Sequence, residues 1–217
     1  MTFPNSPKLV RGGLVLVDPK SGSVRRVISL QYNPDTLSRT LQVQGFGENG
    51  ERSEALRLRG PAVETIKIDA EIDAADHLEF PEQHAATIEF GIQPQLAALE
   101  SLVNPSSTDL LFNELLSLAG TIEIAPSEAP LALFVWSRQR VLAVRVTDFS
   151  ITEEAFDPDL NPLRAKVSLG MRVLSINDVG LAHKAGALFL GYLQSRERLA
   201  AKTPGGGLSA LGIGGIP

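Results

Sequence analysis

One run of the chain admits few folds. Residues 62–72 place Ile66, Ile68, Ala70 and Ile72 at every second position, with Lys67, Asp69 and Glu71 between them. A period of two puts the apolar side chains on one face and the charges on the other, as in an antiparallel sheet with one face buried. A second run repeats the pattern: Ala165, Val167, Leu169, Met171 and Val173 alternate with Arg164, Lys166, Ser168, Gly170 and Arg172. The remainder must therefore supply further strands and a cover for the apolar face.

Further strands are legible on both sides. Residues 8–17 are β-prone, and the pair Gly12-Gly13 reads as a bulge. Asp18-Pro19-Lys20-Ser21-Gly22 supplies a turn, and residues 24–32 a buried strand that completes a hairpin. Pro34 stops that strand, and Asn33-Pro34-Asp35 suits a type I turn that sets a corner and returns Leu37 to the core. Residues 38–44 form a third strand. Residues 45–60 are polar and read as a loop or long hairpin tip. Their letters Gly45, Gly47 and Gly50 match a dinucleotide fingerprint, but no helix follows, and Glu48 and Glu51 would repel phosphate. In the second half, residues 131–136 and 141–151 are strands. Trp136 sits in the dense run Leu131-Ala132-Leu133-Phe134-Val135-Trp136, which favours a core position over an interface anchor.

Helical spacing occurs in three places. Pro94 opens a helix with the stripe Leu96, Leu99, Leu102 and Val103. Ser107 caps a second, with Leu111, Leu115 and Leu118 on one face, and both are expected to pack against the sheet. Residues 182–201 form an amphipathic helix carrying Phe189, Tyr192 and Leu193, weakened by Gly186 and Gly191. The Gly-rich tail beyond it holds Leu208, Leu211, Ile213 and Ile216, too apolar for a plain linker. The expected fold class is mainly β with α: an antiparallel β-barrel or sandwich with a flanking helix, then a C-terminal amphipathic helix and tail. Residues 1–176 form the β domain, with a loop and helical insertion at 73–129; residues 177–217 form the helix and docking tail. Phe189, Tyr192, Leu193, Leu208, Leu211, Ile213 and Ile216 are the expected subunit contacts.

Composition narrows function. Of 217 residues, 43% are hydrophobic and 21% charged, enough for a core and unlike a disordered chain. A net charge of -5 argues against a general nucleic-acid or anionic-membrane binder. No apolar run approaches the roughly 20 residues of a bilayer span, and no signal peptide is visible, so synthesis in the cytoplasm is expected. Cysteine is absent, which removes thiolate chemistry. His77, His84 and His183 are scattered, so no catalytic, cofactor-binding or metal-binding set is assigned. Two alternatives stand beside a structural role: a metal-assisted hydrolase using His77, Glu79, Glu82 and His84 on the irregular loop 73–93, and a barrel binding a small apolar ligand.

Several stretches taken together resemble a known family. They are Leu30-Gln31-Tyr32-Asn33-Pro34-Asp35-Thr36-Leu37, the strand 63–72, the strand holding Phe134 and Trp136, Phe149-Ser150-Ile151, and the run opened by Asn161-Pro162. Over about residues 8–175 the chain resembles the tube-type baseplate proteins of contractile injection systems, the phage-tail-like machines. The resemblance implies a tail-tube-like barrel and a homo-oligomeric, sixfold ring between a spike hub protein and the inner tube protein. It also implies a place in a particle released or docked at a membrane. The chain departs from many relatives in lacking a LysM module, whose place the helix and tail take, and in an insertion at 109–129.

Overall fold

The computed structural model describes residues 10–45, 57–118 and 130–216. Most of the expected tip at 45–60, the end of the helical insertion at 119–129 and the first nine residues lie outside that range. Strands β1 (Gly13–Val17), β2 (Val24–Ser29), β3 (Leu37–Gln42) and β4 (Val63–Asp73) precede the helices α1 (Ala75–Leu78), α2 (Ala85–Phe90), α3 (Gln93–Glu100) and α4 (Ser107–Leu118). Strands β5 (Leu131–Ser137), β6 (Arg140–Phe156) and β7 (Pro162–Val173) follow, then α5 (Ile176–Val179) and α6 (Lys184–Ala200). The seven strands form one sheet in the order β2-β1-β5-β6-β7-β4-β3, antiparallel throughout.

That order forces curvature. β2 and β3 occupy opposite edges, yet only residues 30–36 join them. Laid flat, six inter-strand gaps at about 4.8 Å would separate the edges by about 29 Å. The eight backbone steps from Ser29 to Leu37 span at most about 29 Å when fully taut, and the link bends at residues 31–32 and at 35. The sheet must curl. β6 carries the turn of the curl: its first part pairs with β5, its remainder with β7, and Val144 pairs with both Ala132 and Val173. A bulge between Val146 and Asp148 adds the local twist and bend that let one strand serve both halves. No ladder joins β2 to β3 among the described residues, so the sheet is open there.

The concave face holds the core. Leu14 and Leu16 of β1, Phe134 of β5, Leu142 and Val144 of β6, Val167, Leu169 and Met171 of β7, and Ile66, Ile68 and Ala70 of β4 pack together under Leu96 and Leu99 of α3. Emptying the Phe134 position would cost about 3–5 kcal/mol on this burial. Leu131 and Leu133 point the other way, onto the convex side, where they meet Val17, Ala143 and Ala185 at the start of α6. β5 is therefore buried on both faces, which is why its sequence is continuously apolar while β4 and β7 alternate. The outer face of β4 and β7 is solvated, and the basic residues of β7 are paired within the chain: Arg164 with Asp73 at 2.7 Å, Lys166 with Glu154 at 2.9 Å, and Arg172 with Asp178 at 2.7 Å.

Several expectations change in detail. β2 is an exposed edge strand rather than a buried one, with Val24 and Val27 open to solvent. The ladder irregularity in β1 falls between Leu16 and Val17, not at Gly12-Gly13. The glycine pair serves close approach instead: a Cβ on Gly12 would come within 2.8 Å of the Trp136 ring. Asn33-Pro34-Asp35 bends without a hydrogen-bonded turn, and the Asn33 side chain reaches back to Gly12 and Val10. Residues 73–93 form short helices rather than an irregular loop. The cap of α4 is Ser106, whose Oγ accepts from Asp109 N at 3.1 Å while donating to its carboxylate. α4 does not pack on the sheet: none of its residues is buried. Gly186 is required where α6 crosses the end of α5, since a Cβ there would collide with the carbonyl of Gly180; nothing crowds Gly191.

Candidate functional site

The motif residues of the first half converge at one end of the curled sheet. A primary amide carries the donors and acceptor of a peptide group, so it can complete a ladder that backbone cannot reach. Gln31 does this at the end of β4: its Oε1 accepts from Asp73 N at 3.0 Å, and its Nε2 donates to Asp73 O at 2.8 Å. Asn33 does the same on the β1 side, with Oδ1 accepting from Gly12 N at 2.8 Å and Nδ2 donating to Val10 O at 2.9 Å. Between them the Tyr32 hydroxyl donates to Asp76 Oδ2 at 2.8 Å. That bond holds the Asp76 carboxyl below its ordinary value and raises the Tyr32 hydroxyl. The link thus clasps the flank of β1 to the end of β4 through side chains. Pro34 ends the clasp and Leu37 turns inward to the core.

The remaining motif residues brace the same end. Trp136 packs against the core beside Phe134, their rings 5.8 Å apart, and lies against Gly12. Asn161 donates to Asp157 Oδ2 at 2.8 Å and to Glu89 O at 3.2 Å, and Pro162 O accepts from Ile92 N at 2.9 Å. The Asn161 contact keeps the Asp157 carboxyl below its ordinary value. The β6–β7 hairpin is thereby tied to α2 and α3, which roof the core.

The opposite end is closed by α6. Glu64 sits at the start of β4 on the concave face and is only 4% exposed. Its Oε1 accepts from Arg39 Nε at 2.6 Å, which raises the Arg39 pKa further. Arg39 Nη2 and Arg196 Nη1 donate to the Tyr192 hydroxyl at 3.0 and 3.1 Å, and the Arg196 guanidinium lies 5.5 Å over the Tyr192 ring. Arg196 stands 3.9 Å from the second Glu64 oxygen. Beside this network a groove of about 330 Å³ runs between Pro61, Ala62, Ile176, Phe189, Leu190 and Leu193, with Glu64, Tyr192 and Arg196 at its polar end. With Glu64 already committed to Arg39, the arrangement is a latch holding α6 across the opening.

Phe189 and Tyr192, expected as subunit contacts, are buried within this chain's own core, and both also line the groove. Leu193, Leu208, Leu211, Ile213 and Ile216 are exposed. Exposed too are Leu110, Leu111, Phe112, Leu115 and Leu118 of α4. The histidines of the insertion stack as parallel rings 4.2 Å apart, with His77 Nδ1 3.2 Å from the Thr87 hydroxyl. Among the described residues no three His, Cys, Asp or Glu side chains are grouped to hold a metal ion. His183 instead caps α6, its Nδ1 accepting from Ala185 N at 3.1 Å.

No protein-family model and no curated protein matches the chain. Function must therefore be argued from geometry. The latch was missed in the sequence although its signal was present, because Glu64 falls in phase with Ile66, Ile68 and Ala70. A charge on the buried face of an alternating strand demands a partner, and the partner had to be found in space. No helix among the described residues is long and apolar enough to cross a membrane.

Proposed function

We propose that this chain is a structural ring subunit of a contractile injection baseplate, an adaptor or tube-initiating layer between the spike hub and the inner tube, and not an enzyme. The observation that carries the reading is the clasp. Gln31 and Asn33, within the stretch that most resembles the family, are the residues that tie the flank of β1 to the end of β4. On this reading the curl is a tail-tube-like barrel, and its exposed edges β2 and β3, with α4 and the tail, serve neighbouring copies and layers. Fold analogy alone does not fix function, so assembly must decide. Electron microscopy of the purified chain, alone and with tube and hub components, should reveal rings, sixfold by analogy, and their place in a tail-like particle. A chain that stays monomeric and never enters such a particle refutes the reading. The ligand-binding alternative loses support from the concave face, which is filled by side chains such as Phe134, Ile66 and Leu169.

A further inference from the structure

The tail beyond α6 holds a preformed apolar knob. Residues 208–211 make a single 3-10 turn, and Gly212 follows with φ of 73°. Ile213 N bonds Leu208 O at 3.3 Å and Gly212 N bonds Ser209 O at 3.1 Å. These are the paired bonds of a Schellman motif, which brings the side chains at Leu208 and Ile213 together. The exposures agree: 41% and 43% for that pair, against 75% for Leu211 and 83% for Ile216. Between Thr203 and Ile216 there is no charged side chain, and glycines flank the turn on both sides. A stiff apolar tip on a flexible strap loses little further freedom on docking, yet none of residues 201–216 is buried.

The groove beside α6 has the matching chemistry. Its walls are aliphatic and aromatic, and its volume of about 330 Å³ has room for two branched aliphatic side chains. At its polar end Arg196 is partly exposed, with donors to spare for the bare carbonyls of a glycine-rich strap. In its own chain the knob is off the groove. α6 winds on through turn bonds to Thr203, so the strap starts about 10 Å beyond Arg196 at 1.5 Å per residue.

We propose that the knob formed by Leu208 and Ile213 seats in the Phe189–Leu193 groove of a second copy of this chain. Such a contact is head-to-tail: each copy offers a knob to one neighbour and a groove to the other, and repetition closes into a ring. The inference rests on the reading of the chain as a ring subunit and supplies a contact for it.

The absence of native cysteine makes a disulfide trap clean. Full-length Ser209→Cys chain is mixed with full-length Leu193→Cys chain under mild oxidation, and the mixed dimer is read on a denaturing gel. The expected result is a mixed dimer whose yield falls about tenfold or more when the first chain also carries Ile213→Asp. Equal trapping to a cysteine at exposed Leu181, away from the groove, would overturn the proposal. So would a chain carrying both cysteines that closes only on itself, independent of concentration. Melting temperatures of the variants establish that each is folded. A specific trap without entry into a particle refutes the functional reading and leaves the docking standing. Particle entry without a trap refutes the docking alone.

Discussion

Replacing Glu64 by Ala should be among the most costly single changes at the α6 end. Glu64 is 4% exposed and its carboxylate is the ionic partner of Arg39, whose side chain is 20% exposed. Truncation leaves the Arg39 guanidinium largely out of water with only the Tyr192 hydroxyl. Removing one member of a buried pair costs about 3–5 kcal/mol. Because Arg39 retains some solvent, the lower half of that range, about 3 kcal/mol, is expected. With a urea m-value of about 2 kcal/mol/M, the unfolding midpoint should fall by about 1.5 M. The assay is equilibrium urea denaturation of wild type, E64A, R39M and E64A/R39M, read as a double-mutant cycle. The double variant should recover most of the loss, since the penalty lies in the stranded charge and not in the absence of the pair. A loss below about 1 kcal/mol for E64A, with no coupling to Arg39, would mean that the pair behaves as a surface ion pair, and would refute the latch.

Four further outcomes follow from named contacts. Gln31→Ala strands both polar groups of Asp73 and should cost about 1–3 kcal/mol, read as a fall in Tm, with an effect no larger than that of a surface substitution counting against the clasp. Gly191→Ala should stabilise α6 by up to about 1 kcal/mol, whereas Gly186→Ala should destabilise through its collision with Gly180; thermal melts that rank them the other way would remove the α5–α6 contact. The Asp76 carboxyl is depressed by the Tyr32 hydroxyl, so its contribution is present above the ordinary carboxylate value of 3.8 and is lost as pH falls through the folded value. By NMR titration Asp76 should rise toward 3.8 in Tyr32→Phe; an unmoved value would sink the assignment. Deleting residues 203–217 should leave Tm within about 1 °C of wild type, as those described are exposed, and a large fall would place the tail in the fold.

What the sequence disclosed follows the range of each interaction. β4 and β7 were legible because alternation is local, and α6 because its stripe repeats every turn. The exposure of β2 was not legible, since edge or centre depends on which strands flank it. The same limit hid the clasp: Gln31 and Asn33 stood out as a motif, but their partners at Asp73 and Gly12 are 42 and 21 residues away. The burial of Phe189 and Tyr192 in the chain's own core was not legible, because an aromatic on an amphipathic helix looks the same whether its neighbour is its own chain or another. α4 misled in the opposite sense, since nothing among the described residues covers its apolar face.

The seam between β1 and β4 is made of side chains, and this sets how the sheet deforms. Gly12 and Asp73 donate their backbone N–H to amide oxygens of Asn33 and Gln31, so their exchange with solvent deuterium reports the opening of the seam alone. Breaking the four amide-to-backbone bonds and the Tyr32–Asp76 bond between them frees the flank of β1 and the end of β4 from the link without breaking any strand pair. The bulge in β6 stands at the middle of the strand order and the seam joins strands near its two ends, with the core of the concave face packed between them.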